Sequence, residues 1–74
     1  MCLLHMKIGD MAVIDAVNVS GDLKQRLISL GMIRSANICV KNFGWFKSTV
    51  QVMIDRTIIA LRKDEAAQIM VHKI

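Results

Sequence analysis

Apolar and polar side chains alternate with a period of two along much of the second half of this chain. Ile38 and Val40 take one side of a run whose other side is Asn37, Cys39 and Lys41. Val50, Val52 and Ile54 alternate with Thr49, Gln51 and Met53, and Ile59 and Leu61 resume the pattern beyond Asp55-Arg56. Such alternation marks strands with one buried face, and a polar dipeptide between two of them reads as a tight hairpin. Ile69 and Val71 supply a last short strand, after Lys63 to Ala67 makes a single helical turn. Near the start, Met11 to Val17 reads as a first strand behind Gly9-Asp10, but its apolar residues fall on both parities and leave its register open.

Between the first and second strands the period changes. Leu23, Leu27 and Leu30 recur at helical spacing, with Lys24, Gln25 and Ser29 turned away. Asp22 is expected to cap this helix, with Gln25 completing a capping box. Gly31 follows at once, where a residue in the left-handed region ends the helix, and Met32 would pack back on Leu27. Ile28 and Met32 lie off the main stripe, so they are either half-buried core or part of a contact surface. A helix of about two turns is too short to persist without tertiary packing. About five short strands joined by tight turns suggest a closed or nearly closed barrel, an arrangement that leaves no exposed sheet edge.

The 74 residues are one domain, residues 1–74, with no repeat, linker or low-complexity tract. Apolar residues make up 54% of the chain, too many for a disordered one, and the core must be aliphatic because only Phe43, Trp45 and Phe46 are aromatic. The net charge of +4 comes from basic residues scattered in runs no longer than two, which permits anionic partners without requiring them. The longest charge-free stretches, such as Leu27 to Ile33, are far below the roughly 20 residues of a membrane-spanning helix. Met1 to Lys7 lacks the basic and apolar regions of a signal peptide, and Cys2 and Cys39 are too few for a disulfide framework. A cytoplasmic protein with free thiols is expected.

Candidate chemistry is sparse. Cys2 and His5 have a spacing that metal sites use, and Cys39 and His72 share the outward parity of their strands, but neither of the latter belongs to a second paired motif. No metal ligand set, cofactor or catalytic residue is assigned. The glycines at 9, 21, 31 and 44 form no phosphate-cradling loop, and no nucleophile elbow lies near either histidine, so enzyme activity is not expected. The aromatic loop Phe43-Gly44-Trp45-Phe46-Lys47 is the exception. Phe43 reads as a plug for one end of the barrel, while Trp45 and Phe46 either join it there or form an interaction hot spot. With no Tyr and one Trp, a proline-rich peptide groove is not expected.

Arg26-Leu27-Ile28-Ser29-Leu30-Gly31-Met32, then Ile38-Cys39-Val40, Ile59-Ala60-Leu61-Arg62 and Glu65-Ala66-Ala67-Gln68-Ile69-Met70-Val71 together resemble the FeoA family of ferrous iron transport proteins, from Gly9 to Val71. The resemblance implies a mainly β fold, a small SH3-like β-barrel with one short helix between its first and second strands. On that frame Asp22, Leu27, Leu30, Gly31, Ile59 and Leu61 are structural. It also implies a small cytoplasmic accessory that binds the cytoplasmic nucleotide-binding region of a bacterial ferrous iron transporter. Ile28, Met32, Arg34, Trp45, Phe46, Lys47 and Arg62 are the candidate partner contacts. Two departures from the family pattern stand out. Arg34-Ser35 occupies the place of a Pro-Gly turn, so either that turn differs or Ser35 bears strain. Gly44-Trp45-Phe46-Lys47-Ser48 replaces a Gly-Asp-Pro-like turn. Two other readings remain. One is the SH3-like domain of metal-dependent transcriptional repressors, although the chain is expected to begin at Met1 without their helix-turn-helix. The other is a small nucleic-acid-binding barrel, disfavoured because the aromatics are confined to one loop, so no nucleic acid and no membrane insertion are expected.

Overall fold

The alternating stretches become β-strands in the computed structural model, which describes all of residues 1–74. Strand β1 is Met11–Val17, β2 Asn37–Phe43, β3 Thr49–Ile54, β4 Thr57–Arg62 and β5 Ile69–Lys73. They form one antiparallel sheet in the order β4-β3-β2-β1-β5. Helix α1, Gly21–Ser29, connects β1 to β2, and the single turn α2, Lys63–Ala66, connects β4 to β5. Period two sends Ile38, Val40, Val50, Val52, Ile54, Ile59, Leu61, Ile69 and Val71 to one interior, where all are buried. The open register of β1 has a local cause. Its pairing with β5 shifts between Ile14 and Ala16, so Ala12 and Ile14 point inward before the shift and the alternation breaks after it.

The ends of the sheet are covered by segments of different origin. Leu27 of α1 and Met32 beyond it reach the core from one side. The N-terminal segment, with a 3-10 turn at Leu3–His5, brings Leu3 and Met6 into the core from another. That segment also runs along β5: the Val71 N–H donates to the Met1 carbonyl at 2.7 Å, and Cys2 bridges to Met70. One outer edge of the sheet is thereby paired, which limits edge-to-edge association. Every buried side chain is apolar, and no buried side-chain polar atom lacks a partner.

Helix α1 differs from expectation at its start and agrees at its end. Asp22 does not cap it. The helix begins two residues earlier, Ser20 holds the N-cap position, and no side chain makes a capping bond. Gly21, at φ +66°, turns the chain into the helix by backbone geometry alone, which leaves Asp22 in the first turn, where its charge favours the helix dipole. At the other end Gly31 has φ +97°. Its N–H donates to the Ile28 carbonyl at 3.0 Å and the Met32 N–H to the Leu27 carbonyl at 2.9 Å, the paired bonds of a Schellman stop. The capping bond in this chain lies instead at α2, where the Arg62 N–H donates to Glu65 Oε1 at 2.8 Å.

The turn after the helix keeps a glycine-like backbone without a glycine. Ser35 has φ 74° at the third position of Ile33–Ala36, and the Ala36 N–H closes that turn on the Ile33 carbonyl at 3.1 Å. Ser35 also donates its N–H to the Ile14 carbonyl at 2.7 Å, so β1 holds it in the left-handed region. Of the two alternatives, the strained serine is the one realised.

Two stability outcomes follow. Ser35→Gly relieves the Cβ strain at φ 74° and, after Gly's own entropic cost, is expected to raise stability by about 0.5–1 kcal/mol in a denaturant melt; a loss would mean that the turn is held differently. Gly31→Val places a β-branched residue at φ +97°, with its Cβ 3.4 Å from Ile54 Cγ2, and is expected to lower Tm by about 10 °C or more. Ile28→Ala, at an exposed position, is expected to cost less than the roughly 2–5 kcal/mol of a buried Ile truncation. Equal destabilisation by these two changes would refute the helix-stop assignment.

Candidate functional site

Strand β2 separates the candidate contact residues into two patches. At its C-terminal end the loop to β3 carries Trp45, Phe46 and Lys47; at its N-terminal end lie Ile28, Met32 and Arg34, around the end of α1. A strand of this length spans roughly 20 Å at 3.3 Å per residue, so no small ligand touches both.

The aromatic loop is a closed turn. The Gly44 N–H donates to the Thr49 carbonyl at 2.9 Å, the Lys47 N–H to Gly44 at 3.0 Å and the Ser48 N–H to Trp45 at 2.8 Å. A Cβ at Gly44 would meet Thr49 Oγ1, so a larger residue there would turn that exposed hydroxyl aside. Phe46 and Lys47 have φ of 52° and 58°, an uncommon conformation for residues of this bulk. Phe43, half-buried, packs on the core as the expected plug. Trp45 and Phe46 do not join it, for their side chains are 84% and 91% exposed. Their rings lie 6.2 Å apart in a tilted pair that faces solvent. Lys47 stays exposed but reaches back across the loop, its ammonium donating to the Leu4 carbonyl at 2.9 Å and lying 4.9 Å from the centre of the Phe43 ring. It acts as a strut between the loop and the N-terminal segment. Arg62 pairs with Thr49 across the sheet, and the Lys63 N–H donates to the Ser48 carbonyl, so a free guanidinium stands beside this loop.

The second patch is a groove of about 400 Å³ between α1, the end of β1 and the Ile33–Ala36 turn. Exposed Ile28 and Ile33 line it together with Lys24, Arg34 and Asp15. Met32 corrects the expected surface: at 0% exposure it belongs to the core, because the Schellman stop folds it back over Leu27. Ile33 is the exposed residue that the sequence pattern did not single out; its place after a buried Met in a turn gives no periodic signal. Leu27, Ile59 and Leu61 are buried, and Leu30 packs against the core from a half-buried position, as expected of structural residues.

The titratable side chains stand apart. Cys2 Sγ lies 3.8 Å from His5 Nδ1 at the N-terminal turn, while His72 Nδ1 meets Asp15 Oδ1 at 2.6 Å on the exposed face of β5 and β1. Cys39 and His72 face the same way but are held on the two strands flanking β1. No three residues among His, Cys, Asp and Glu converge. The Lys7 backbone N–H, 2.9 Å from Asp10 Oδ2, holds that carboxyl below its usual range, aided by Lys73 at 3.4 Å. These contacts tie the N-terminal turn to the end of β5. No helix is long and apolar enough to cross a membrane.

Comparison with known proteins places this architecture. The solution structure of FeoA from Chlorobium tepidum superimposes on 99% of this chain and 70% of its own, with TM-score 0.92 and 30% identity. The zinc-complexed FeoA of Stenotrophomonas maltophilia, described as a procaryotic SH3 domain protein, shares the fold with TM-score 0.82 at 24% identity, over 97% of this chain and 89% of that one. A manganese-dependent transcriptional repressor contains the same fold within 36% of its length, at TM-score 0.85 and 18% identity over all of this chain. A protein of Campylobacter jejuni named "Putative Fe(2+) transport protein A" is 35% identical over the full length of both chains. The FeoA domain model matches residues 1–73. On that match and that relative, the chain belongs to the FeoA family, and it has the SH3-like fold of the proteins above.

Proposed function

We propose that this protein acts in the cytoplasm as a regulatory binding module, docking on the cytoplasmic nucleotide-binding region of a ferrous iron transporter. The observation that carries this reading is the pair Trp45 and Phe46, held in solvent on a closed turn. Large aromatics cost hydration when exposed, and left-handed backbone at Phe46 and Lys47 costs more, so the arrangement is favoured when a partner covers the rings. Trp is the residue type most enriched at binding hot spots, and a loop on a rigid barrel presents it with little ordering left to lose. Arg62 beside the loop adds a cation suited to an acidic partner face.

A nucleic-acid partner is the weaker reading. The aromatics are confined to one loop, whereas single-strand binders interleave several cations with stacking platforms along the strand's path. Salt distinguishes the two: docking through aromatic anchors falls modestly with ionic strength, while binding through phosphates falls steeply.

Trp45→Ala is expected to leave the denaturant midpoint within the range of a surface change, about 0.5 kcal/mol, because the ring supports nothing beneath it. The same change is expected to weaken pull-down by the transporter's cytoplasmic fragment by about 30-fold or more, the scale of a hot-spot anchor. Normal stability with undiminished binding would move the docking site to the Ile28, Ile33 and Arg34 groove.

A further inference from the structure

We infer that the outer face of the sheet carries a soft-cation site formed by the sulfurs of Met11, Cys39 and Met53, with Cu(I) or its analogue Ag(I) as the ligand. The three residues are far apart in sequence and adjacent in register. Met11 lies opposite Cys39 across β1 and β2, and Cys39 lies opposite Met53 across β2 and β3. Directly opposed residues have Cβ atoms roughly 4.5–5.5 Å apart, so one thiol is flanked by two thioethers in a single cross-strand row. All three line one depression of about 330 Å³, with Lys41 and Asp55 at its rim. The row faces away from the core, since Ala12, Ile38, Val40, Val52 and Ile54, its neighbours along the strands, are the buried ones.

The groups are also free to act. Cys39 is an unoxidised thiol, half-buried, whose contact is a weak one of 3.9 Å to the Val40 carbonyl. Met11 is 53% exposed and Met53 half-buried, and an unbranched side chain with three rotatable bonds can swing its sulfur toward Cys39. Thiolate and thioether donors are soft and favour Cu(I) over hard Mn(II), and a set dominated by neutral thioethers favours it over borderline Fe(II). His72, the imidazole facing the same way, is occupied by Asp15 on the far side of β1. One thiolate and one monovalent cation make a neutral complex, which suits a half-buried apolar row that ends in exposed Ile58 opposite Met53. In binding, the Cys39 S–H bond breaks, its proton goes to solvent and a sulfur–metal bond forms, with no change of oxidation state. The site is independent of the docking reading, since the aromatic loop contributes nothing to it.

The test is an anaerobic titration of the full chain with Ag(I), and with Cu(I) in competition against a chromophoric Cu(I) chelator, in a Cys2→Ser background that removes the only other thiol. One equivalent is expected to bind, with a sulfur-to-copper charge-transfer band in the ultraviolet. Met11→Leu and Met53→Leu, which keep volume and apolarity, are each expected to lower affinity on the order of tenfold without shifting the thermal melt, and Cys39→Ser by on the order of a hundredfold. Fe(II) is expected not to compete. Failure of the chain to retain Cu(I) against the chelator would overturn the proposal, and so would Leu variants that bind as tightly as the parent, for the ligand would then be a thiol alone.

Discussion

A wholly aliphatic core that must stay dry is the constraint on which this structure depends. In a chain of 74 residues little surface can be sealed off, and no disulfide assists. No polar side chain enters the interior, so no buried hydrogen-bond network specifies its geometry. Closure therefore relies on placement: the inward parity of the strands, Leu27 and Met32 from the helix stop, and Leu3 and Met6 from the N-terminal segment. The two left-handed residues at the helix exit, Gly31 and Ser35, serve this end. One folds Met32 back under α1; the other, tied to Ile14, delivers the chain into β2 with Ile38 facing inward.

Because the inward positions are committed, whatever the protein recognises must be recognised by outward positions and loops. These divide by chemistry. The β2–β3 loop displays two aromatic rings, the groove beside α1 combines isoleucines with cations, and the sheet's outer row carries sulfur. Each is supported by backbone that the core holds rigid, which lowers the ordering cost of binding. The same SH3-like frame occurs in a manganese-dependent repressor at 18% identity, where it is part of a much longer chain. A shared barrel says little about shared partners, and the differences belong to these exposed positions.

Much of the frame was legible in the residues. Strands β2, β3 and β4 announce themselves by clean alternation, and Leu27, Gly31 and the Asp55-Arg56 reversal mark where elements stop. Asp55 indeed takes φ 56° at the hairpin. What was not legible depends on tertiary pairing. The bulge in β1 scrambles its parity, and Asp22 looks like a cap only because Gly21's left-handed φ leaves no mark in a propensity pattern. Leu3 and Met6 sit in a segment too short to show a period, although their spacing of three residues matches one face of a helical turn. Met32 stood open between half-buried core and contact surface, and only the closed helix stop, which folds it back over Leu27, decides for the core. Trp45 and Phe46 were undecided between plug and anchor, since a loop's direction is set by turns such as the one Gly44 and Thr49 close. The sulfur row has no local signature at all, since residues 11, 39 and 53 meet only once the strands are in register.

If the proposed docking uses only exposed positions, the barrel interior stays unchanged on binding. Backbone amide shifts of the labelled protein, followed as the transporter's cytoplasmic fragment is added, distinguish the cases. Perturbations are expected only around Trp45, Phe46 and Arg62, while the amides of Val40, Val52 and Val71 hold their positions and their protection from hydrogen exchange. Shifts spread through those core strands, or centred on residues remote from the loop, would refute docking of this kind.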